Sequence, residues 1–153
     1  MSDPRPVHLL VVCSGNQCRS PLAAGLAEEL ALTLGLELEV RSAGTLGIEG
    51  VPAHPHIVAV AREVGVDLTA HRSVPLTEAL LRWADAVYVM DETHTTAVHE
   101  LAPDLAERLV PLGPLIGKPR IEDPIGSWLR APYRAAREDL LAALQVALPA
   151  LRR

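Results

Sequence analysis

Val11-Val12-Cys13-Ser14-Gly15-Asn16-Gln17-Cys18-Arg19-Ser20-Pro21 joins an apolar, strand-like run directly to a helix-like one, and the reading of that junction decides the fold. A cysteine ends the first segment, and an arginine follows six positions later. A loop of this kind turns successive backbone N–H groups inward. The helix after it adds its own unpaired N–H groups and the positive end of its dipole. The expected product is an anion cradle with a thiol on its floor, in an environment that favours the thiolate. Composition points to the same place: the chain has two cysteines and one asparagine, and Cys13, Cys18 and Asn16 all lie in this stretch.

Working outward, residues 8–12 read as a buried central strand. Residues 22–32 repeat apolar side chains at helical spacing, with Pro21 in the first turn and Gly35 as the stop. A second strand is expected over 36–41, closed by Ser42-Ala43-Gly44-Thr45, then a Gly- and Pro-rich loop over 46–55 and a helix over 57–64. Beyond these come a short capped helix over 77–83, a strand over 85–90, a helix over 92–101, a fourth strand over 108–112, a loop over 113–126 and a long helix over 131–148. Strands alternating with helices predict an α/β fold: one three-layer domain over 1–153, with a four-stranded parallel sheet, helices on both faces and the phosphate loop after the first strand. Ligands on such sheets bind at the carboxyl ends of the strands, where Cys13 lies.

The length of 153 residues fits one domain, and an apolar content of 49% supplies one core. A net charge of −5 argues against a broad cationic surface for nucleic acid or anionic lipid. The first dozen residues have neither the length of a membrane span nor the pattern of a signal peptide, so a cytoplasmic location is expected and no membrane partner. Two cysteines four apart make no disulfide framework, and no Cys/His spacing suggests zinc; no metal and no cofactor are expected. His54, His56, His94 and His99 form no recognisable ligand set and are assigned to surface or loop packing.

Within the loop, a Cys13 thiolate is a good nucleophile toward phosphorus, and Arg19 offers a planar fork of donors for two phosphate oxygens. Ser14, Gly15, Asn16, Gln17, Cys18 and Ser20 complete the cradle; Asn16 tolerates left-handed backbone and its amide can brace the loop. Together these residues describe attack on a bound phosphate monoester.

The run from Val12 to Pro21 resembles the signature loop of the low-molecular-weight protein tyrosine phosphatases. The resemblance extends to Ser42-Ala43-Gly44-Thr45, to the stretch from Gly65 to Ser73, to Val89-Met90-Asp91 and to Glu122-Asp123-Pro124, and so covers nearly the whole chain. It implies Cys13 as nucleophile, Arg19 as phosphate ligand and Asp123 as general acid, with Ser42 and His71 bracing Asn16. The chemistry agrees about Asp123, since the leaving oxygen needs a proton that a carboxyl on a neighbouring loop can supply. Ser20 can donate its hydroxyl to the Cys13 thiolate.

The resemblance implies a phosphorylated protein or peptide as substrate and inorganic phosphate as product. Members acting on phosphotyrosine usually carry aromatic residues after the Asp-Pro pair, where this chain has Ile125-Gly126. The Asp-Pro-Ile-Gly stretch and Pro75-Leu76-Thr77-Glu78 look more like the protein-arginine phosphatase branch, which carries a threonine in place of Gln17. Phosphotyrosine is the first expectation and phosphoarginine the alternative. A thiol-dependent arsenate reductase would need further cysteines, and a non-catalytic phosphoprotein-binding module would not need nucleophile, arginine and acid together. Ile125 is a candidate pocket wall, as are Trp128 and Tyr133, for both of which core packing is the other reading.

Overall fold

The computed structural model describes residues 5–151. Four parallel strands, β1 (Val7–Cys13), β2 (Leu38–Gly44), β3 (Ala86–Val89) and β4 (Leu109–Pro111), lie in the order β2-β1-β3-β4. Five helices connect and cover them: α1 (Arg19–Leu34), α2 (Pro55–Arg62), α3 (Glu78–Trp83), α4 (Glu92–Leu101) and α5 (Ala131–Ala147). From β1 the chain first moves to β2 on one side and later to β3 on the other. The strand order therefore reverses at β1, and the crevice between β1 and β3 opens at their carboxyl ends.

Alternation along the central strands splits the core in two. Leu9, Val11, Cys13, Tyr88 and Met90 face one side, among buried residues of α1, α2 and α5. Leu10, Val12, Val87 and Val89 face the other, against Leu81 and Val98 of α3 and α4. This is why residues 8–12 read as an unbroken apolar run: β1 is covered on both faces. Burying each such Leu or Val stabilises the fold by roughly 1.5–3 kcal/mol before chain entropy is counted.

The observed elements follow the expected order, with shifts at the ends. β2 continues through Ser42, Ala43 and Gly44, which the sequence assigned to its closing turn, because β1 pairs with it in register to Cys13 opposite Gly44. α2 begins at Pro55, with the His54 side chain accepting the His56 N–H as its cap. The loop over 113–126 contains a 3₁₀ turn, Gly113–Ile116. α1 stops where expected, on Gly35 in the left-handed region at φ 65°.

Candidate active site

The cradle occupies the junction of β1 and α1. α2, α3 and α4 each have a side-chain cap from His54, Thr77 and Asp91, whereas α1 has none and no acidic residue in its first turn. Its N-terminal amides are left for an anion. The loop carbonyls turn outward: Cys13 O accepts from Thr45 N–H, Ser14 O from Leu46 N–H, Asn16 O from His71 Nε2, and Gln17 O from His54 N–H. No peptide bond among the described residues is cis. Each N–H therefore points opposite the C=O of the preceding residue, and the amides of Ser14, Gly15, Gln17 and Cys18 face the interior. Gly44 makes room for this turn, since a Cβ there would stand 2.7 Å from Ser14 O and 3.0 Å from Asn16 Cβ.

Asn16 is the bend's fixed point. It is the single non-glycine at positive φ among the described residues, at 55°, and it is fully buried. Its Oδ1 accepts from Val74 N–H at 2.9 Å, which fixes the amide orientation, because a backbone N–H can only donate. Nδ2 then donates to Ser20 Oγ at 2.7 Å and to Ser42 Oγ at 3.0 Å. A Cys13 thiolate can only accept, and in that state the Ser20 hydroxyl, 2.9 Å from Sγ, donates to it. His71 donates Nε2–H to Asn16 O at 2.7 Å. Ser42 and His71 thus stand against Asn16, and a relay of donors runs from Asn16 through Ser20 to the sulfur.

Arg19, in the first turn of α1, is 2% exposed. Its Nη1 donates to Ile121 O at 2.8 Å and to Asp91 Oδ2 at 3.2 Å, two acceptors behind the site. Its Nη2 makes only longer contacts, 3.4 Å to Ser14 Oγ and 3.4 Å to Asp123 Oδ2. One nitrogen is anchored, and the other is held by contacts that a phosphate oxygen would readily replace. Burial raises the Asp91 carboxyl, but hydrogen bonds from Thr93 and Arg19 outweigh that and hold it below the usual carboxylate range. Asp123 Oδ1 accepts the Ile125 N–H at 3.1 Å, which fixes the start of the loop that carries it.

Cys13, Gly15, Gln17, Cys18, Arg19, Asp123 and Ile125 line one small cleft. Both cysteines are free; burial, followed by the nearby Asp123 and Cys13, pushes the Cys18 thiol up to about 12. Cys18 is therefore a neutral thiol at neutral pH. Ile125 and Gln17 both line the cleft. Trp128 does not: its side chain is 90% exposed. The backbone around it is pinned from the protein side, His56 Nε2 donating to Trp128 O at 3.1 Å and Tyr133 Oη to Ser127 O at 2.8 Å, and this turns the indole outward. Tyr133 itself is fully buried.

Three histidines assigned to surface or loop packing belong to the site's support. His54 stacks on Tyr133 and His56 packs against it at a tilt, with centroids 5.0 and 4.8 Å from it, and the two histidines join the Gln17 turn to the segment that carries Asp123. His94 is completely buried. Its Nδ1 accepts the N–H groups of Met90 and Asp91, each at 3.2 Å, so Nε2 carries the proton and donates to Ser14 Oγ at 3.0 Å. Burial pushes its pKa down to about 4. The neutral ring makes no ion pair with Asp91 Oδ1, 3.7 Å away. The available sequence signal was its place three residues after Asp91, where a side chain can return to the N-cap amide. Among the described residues no group of three or more His, Cys, Asp or Glu side chains is gathered as a metal site.

A thiol and an arginine in an amide-lined loop at the carboxyl end of a parallel strand, with a carboxylate across the cleft, define the class of cysteine-based phosphoryl-transfer proteins. A family model described as low molecular weight phosphotyrosine protein phosphatase matches residues 8–151, and the chain belongs to that family. It is 36% identical over 137 residues to a protein-arginine-phosphatase of Geobacillus stearothermophilus, covering 88% of this chain and 89% of that one. It is 33% identical over 135 residues to the low molecular weight protein-tyrosine-phosphatase Wzb of Escherichia coli (strain K12), covering 88% and 84%. Among solved structures it matches the low molecular weight protein tyrosine phosphatase of T. tengcongensis with a TM-score of 0.88 at 32% identity, covering 95% of this chain and 99% of that one. It matches the YwlE arginine phosphatase of Geobacillus stearothermophilus with a TM-score of 0.85 at 34% identity, covering 95% and 93%.

Proposed function

We propose that this protein is a cysteine-dependent protein phosphatase that hydrolyses phosphotyrosine through a phosphocysteine intermediate. The observation that carries the reading is the pairing, across one cleft, of Cys13 Sγ with its Ser20 donor and of Arg19 Nη2 with Asp123. The inward amides and Arg19 hold the phosphoryl oxygens. The sulfur attacks phosphorus, the P–O ester bond breaks, and Asp123 gives its proton to the leaving phenolic oxygen. In the second step the Asp123 carboxylate takes a proton from water as the water oxygen attacks phosphorus. The S–P bond breaks, inorganic phosphate leaves, and the Ser20 hydroxyl stabilises the departing thiolate.

A second reading, phosphoarginine, is favoured by Ile125 at the wall and by the protein-arginine-phosphatase among the relatives. There Asp123 would protonate the guanidine nitrogen as the P–N bond breaks. Gln17 and Ile125 face the group that leaves, so peptides of the two kinds compared at matched concentration decide the substrate. The mechanism itself is tested with p-nitrophenyl phosphate in the presence of a chelator. Cys13→Ser and Arg19→Ala abolish turnover, and Asp123→Ala slows it by about 100- to 10,000-fold. Full activity of Cys13→Ser refutes the mechanism. No helix among the described residues is long and apolar enough to cross a membrane. Two free cysteines, one of them the nucleophile, suit a reducing, cytoplasmic compartment.

A further inference from the structure

We infer that His94 is a positioning residue for the phosphate-binding arginine and acts through the Ser14 hydroxyl. The inference rests on the phosphatase reading and adds to it a residue outside the cleft. Direction follows from donors and acceptors alone. Met90 and Asp91 present N–H groups to Nδ1, so that nitrogen accepts and Nε2 must donate to Ser14 Oγ. Arg19 can only donate, so its Nη2 contact makes Ser14 Oγ an acceptor a second time. Both lone pairs of one hydroxyl are thereby directed, one at the buried imidazole and one at the guanidinium.

The arrangement gives a role to the serine that follows the nucleophile and to the histidine buried in the first turn of α4. Arg19 Nη1 is fixed by Ile121 and Asp91 and cannot follow a ligand. Nη2 is the nitrogen that faces Asp123 and the cleft, and its longer contacts set where the fork waits. A ring immobilised by two backbone amides holds Ser14 Oγ in place, and Ser14 Oγ holds Nη2. The same pair ties the β1 loop to the turn after β3, across the crevice where the strand order reverses.

The test is a cycle of Ser14→Ala, His94→Gln and the double variant, with Ser14→Thr as the conservative control. The readouts are inhibition by inorganic phosphate, the split of KM and kcat on p-nitrophenyl phosphate, and thermal unfolding. Loss of the long hydrogen bond that Ser14 accepts from the fork is expected to weaken phosphate inhibition by roughly 3- to 10-fold in each single variant. The double variant is expected to be no worse than the poorer single one, and Ser14→Thr to stay within about 2-fold of the parent. Multiplying losses in the double variant overturn the inference, as does a His94→Gln that melts earlier yet binds phosphate unchanged. If His94→Gln does not fold, Ser14→Ala decides: unchanged phosphate inhibition overturns it. A parent protein that does not bind phosphate removes the phosphatase reading as well, which separates the two failures.

Discussion

Acidification should cost this protein stability well before its carboxylates titrate, and His94 supplies the reason. Its pKa stands at about 4 in the fold, against 6.5 for a free imidazole, because burial disfavours the charged ring. A histidine depressed in the folded state stabilises fully above the unfolded value, and that contribution is lost as pH falls from 6.5 toward 4. In that window the unfolded chain takes up a proton that the folded one refuses. Linkage over this shift gives a loss of about 2 kcal/mol between pH 7 and pH 5, and about 3 kcal/mol by pH 4. For a chain of this size the first figure corresponds to a fall in Tm of about 4–8 °C.

The physical content is the Nδ1 lone pair. Protonation would face the Met90 and Asp91 N–H groups with a third donor and break both bonds. The measurement is the unfolding free energy from urea titrations at several pH values between 7 and 5, for the parent and for His94→Gln. The variant should be less stable at pH 7 but should lose most of the slope in this window. His54, also depressed by burial and by His56, adds a smaller dependence of the same sign. Glu28, raised by burial, opposes it at the acid end. A parent protein with flat stability from pH 7 to pH 5, or a slope untouched by His94→Gln, refutes the reasoning.

Other consequences are as direct. Gly44→Ala places a methyl group 2.7 Å from Ser14 O, and the loop must shift; a stability loss of about 1–3 kcal/mol with a marked fall in turnover is expected by thermal melt and p-nitrophenyl phosphate assay. Tyr88 is fully buried, and its hydroxyl has no hydrogen-bond partner among the described residues. Tyr88→Phe should therefore leave stability unchanged or raise it by about 1–3 kcal/mol, read as a higher Tm. The chain contains no phenylalanine, and a tyrosine fills this core position instead. His56→Ala removes the donor to Trp128 O, and with it one pin on the Asp123 segment. Its expected mark is a lower kcat with inhibition by phosphate unchanged, together with an altered fluorescence of the exposed Trp128.

Much of the architecture was legible because it rests on local rules. An apolar run covered on both faces, a helix ended by a left-handed glycine and a loop with its cysteine, asparagine and arginine in fixed spacing are all properties of neighbours in the chain. Cys13, Arg19, Asp123, Ser42 and His71 were each named from sequence, and Gln17 and Ile125 were singled out as the residues that bear on substrate. Trp128 and His94 were misplaced in opposite directions, the indole expected at the pocket and found in solvent, the imidazole expected near the surface and found without exposure. Side-chain type did not decide either case. Trp128 is turned out by the bonds that its own carbonyl accepts from His56 and that the Ser127 carbonyl accepts from Tyr133, and His94 is drawn in by two amides and a serine of the loop after β1.

By itself, then, the sequence determined the parallel α/β order, the cradle and the residue types needed for phosphoryl chemistry, since periodicity, capping and loop spacing act over a few residues. Tertiary structure decided which hydrogen bonds give those residues their orientation. Asn16 Nδ2 meets Ser20 Oγ as a donor only because Val74, 58 positions from Asn16, fixes the amide. The Arg19 fork has one anchored nitrogen and one with only longer contacts because Asp91 and Ile121 arrive from 72 and 102 positions away. Donor direction is set by which groups meet across the crevice between β1 and β3, and no local pattern encodes that meeting.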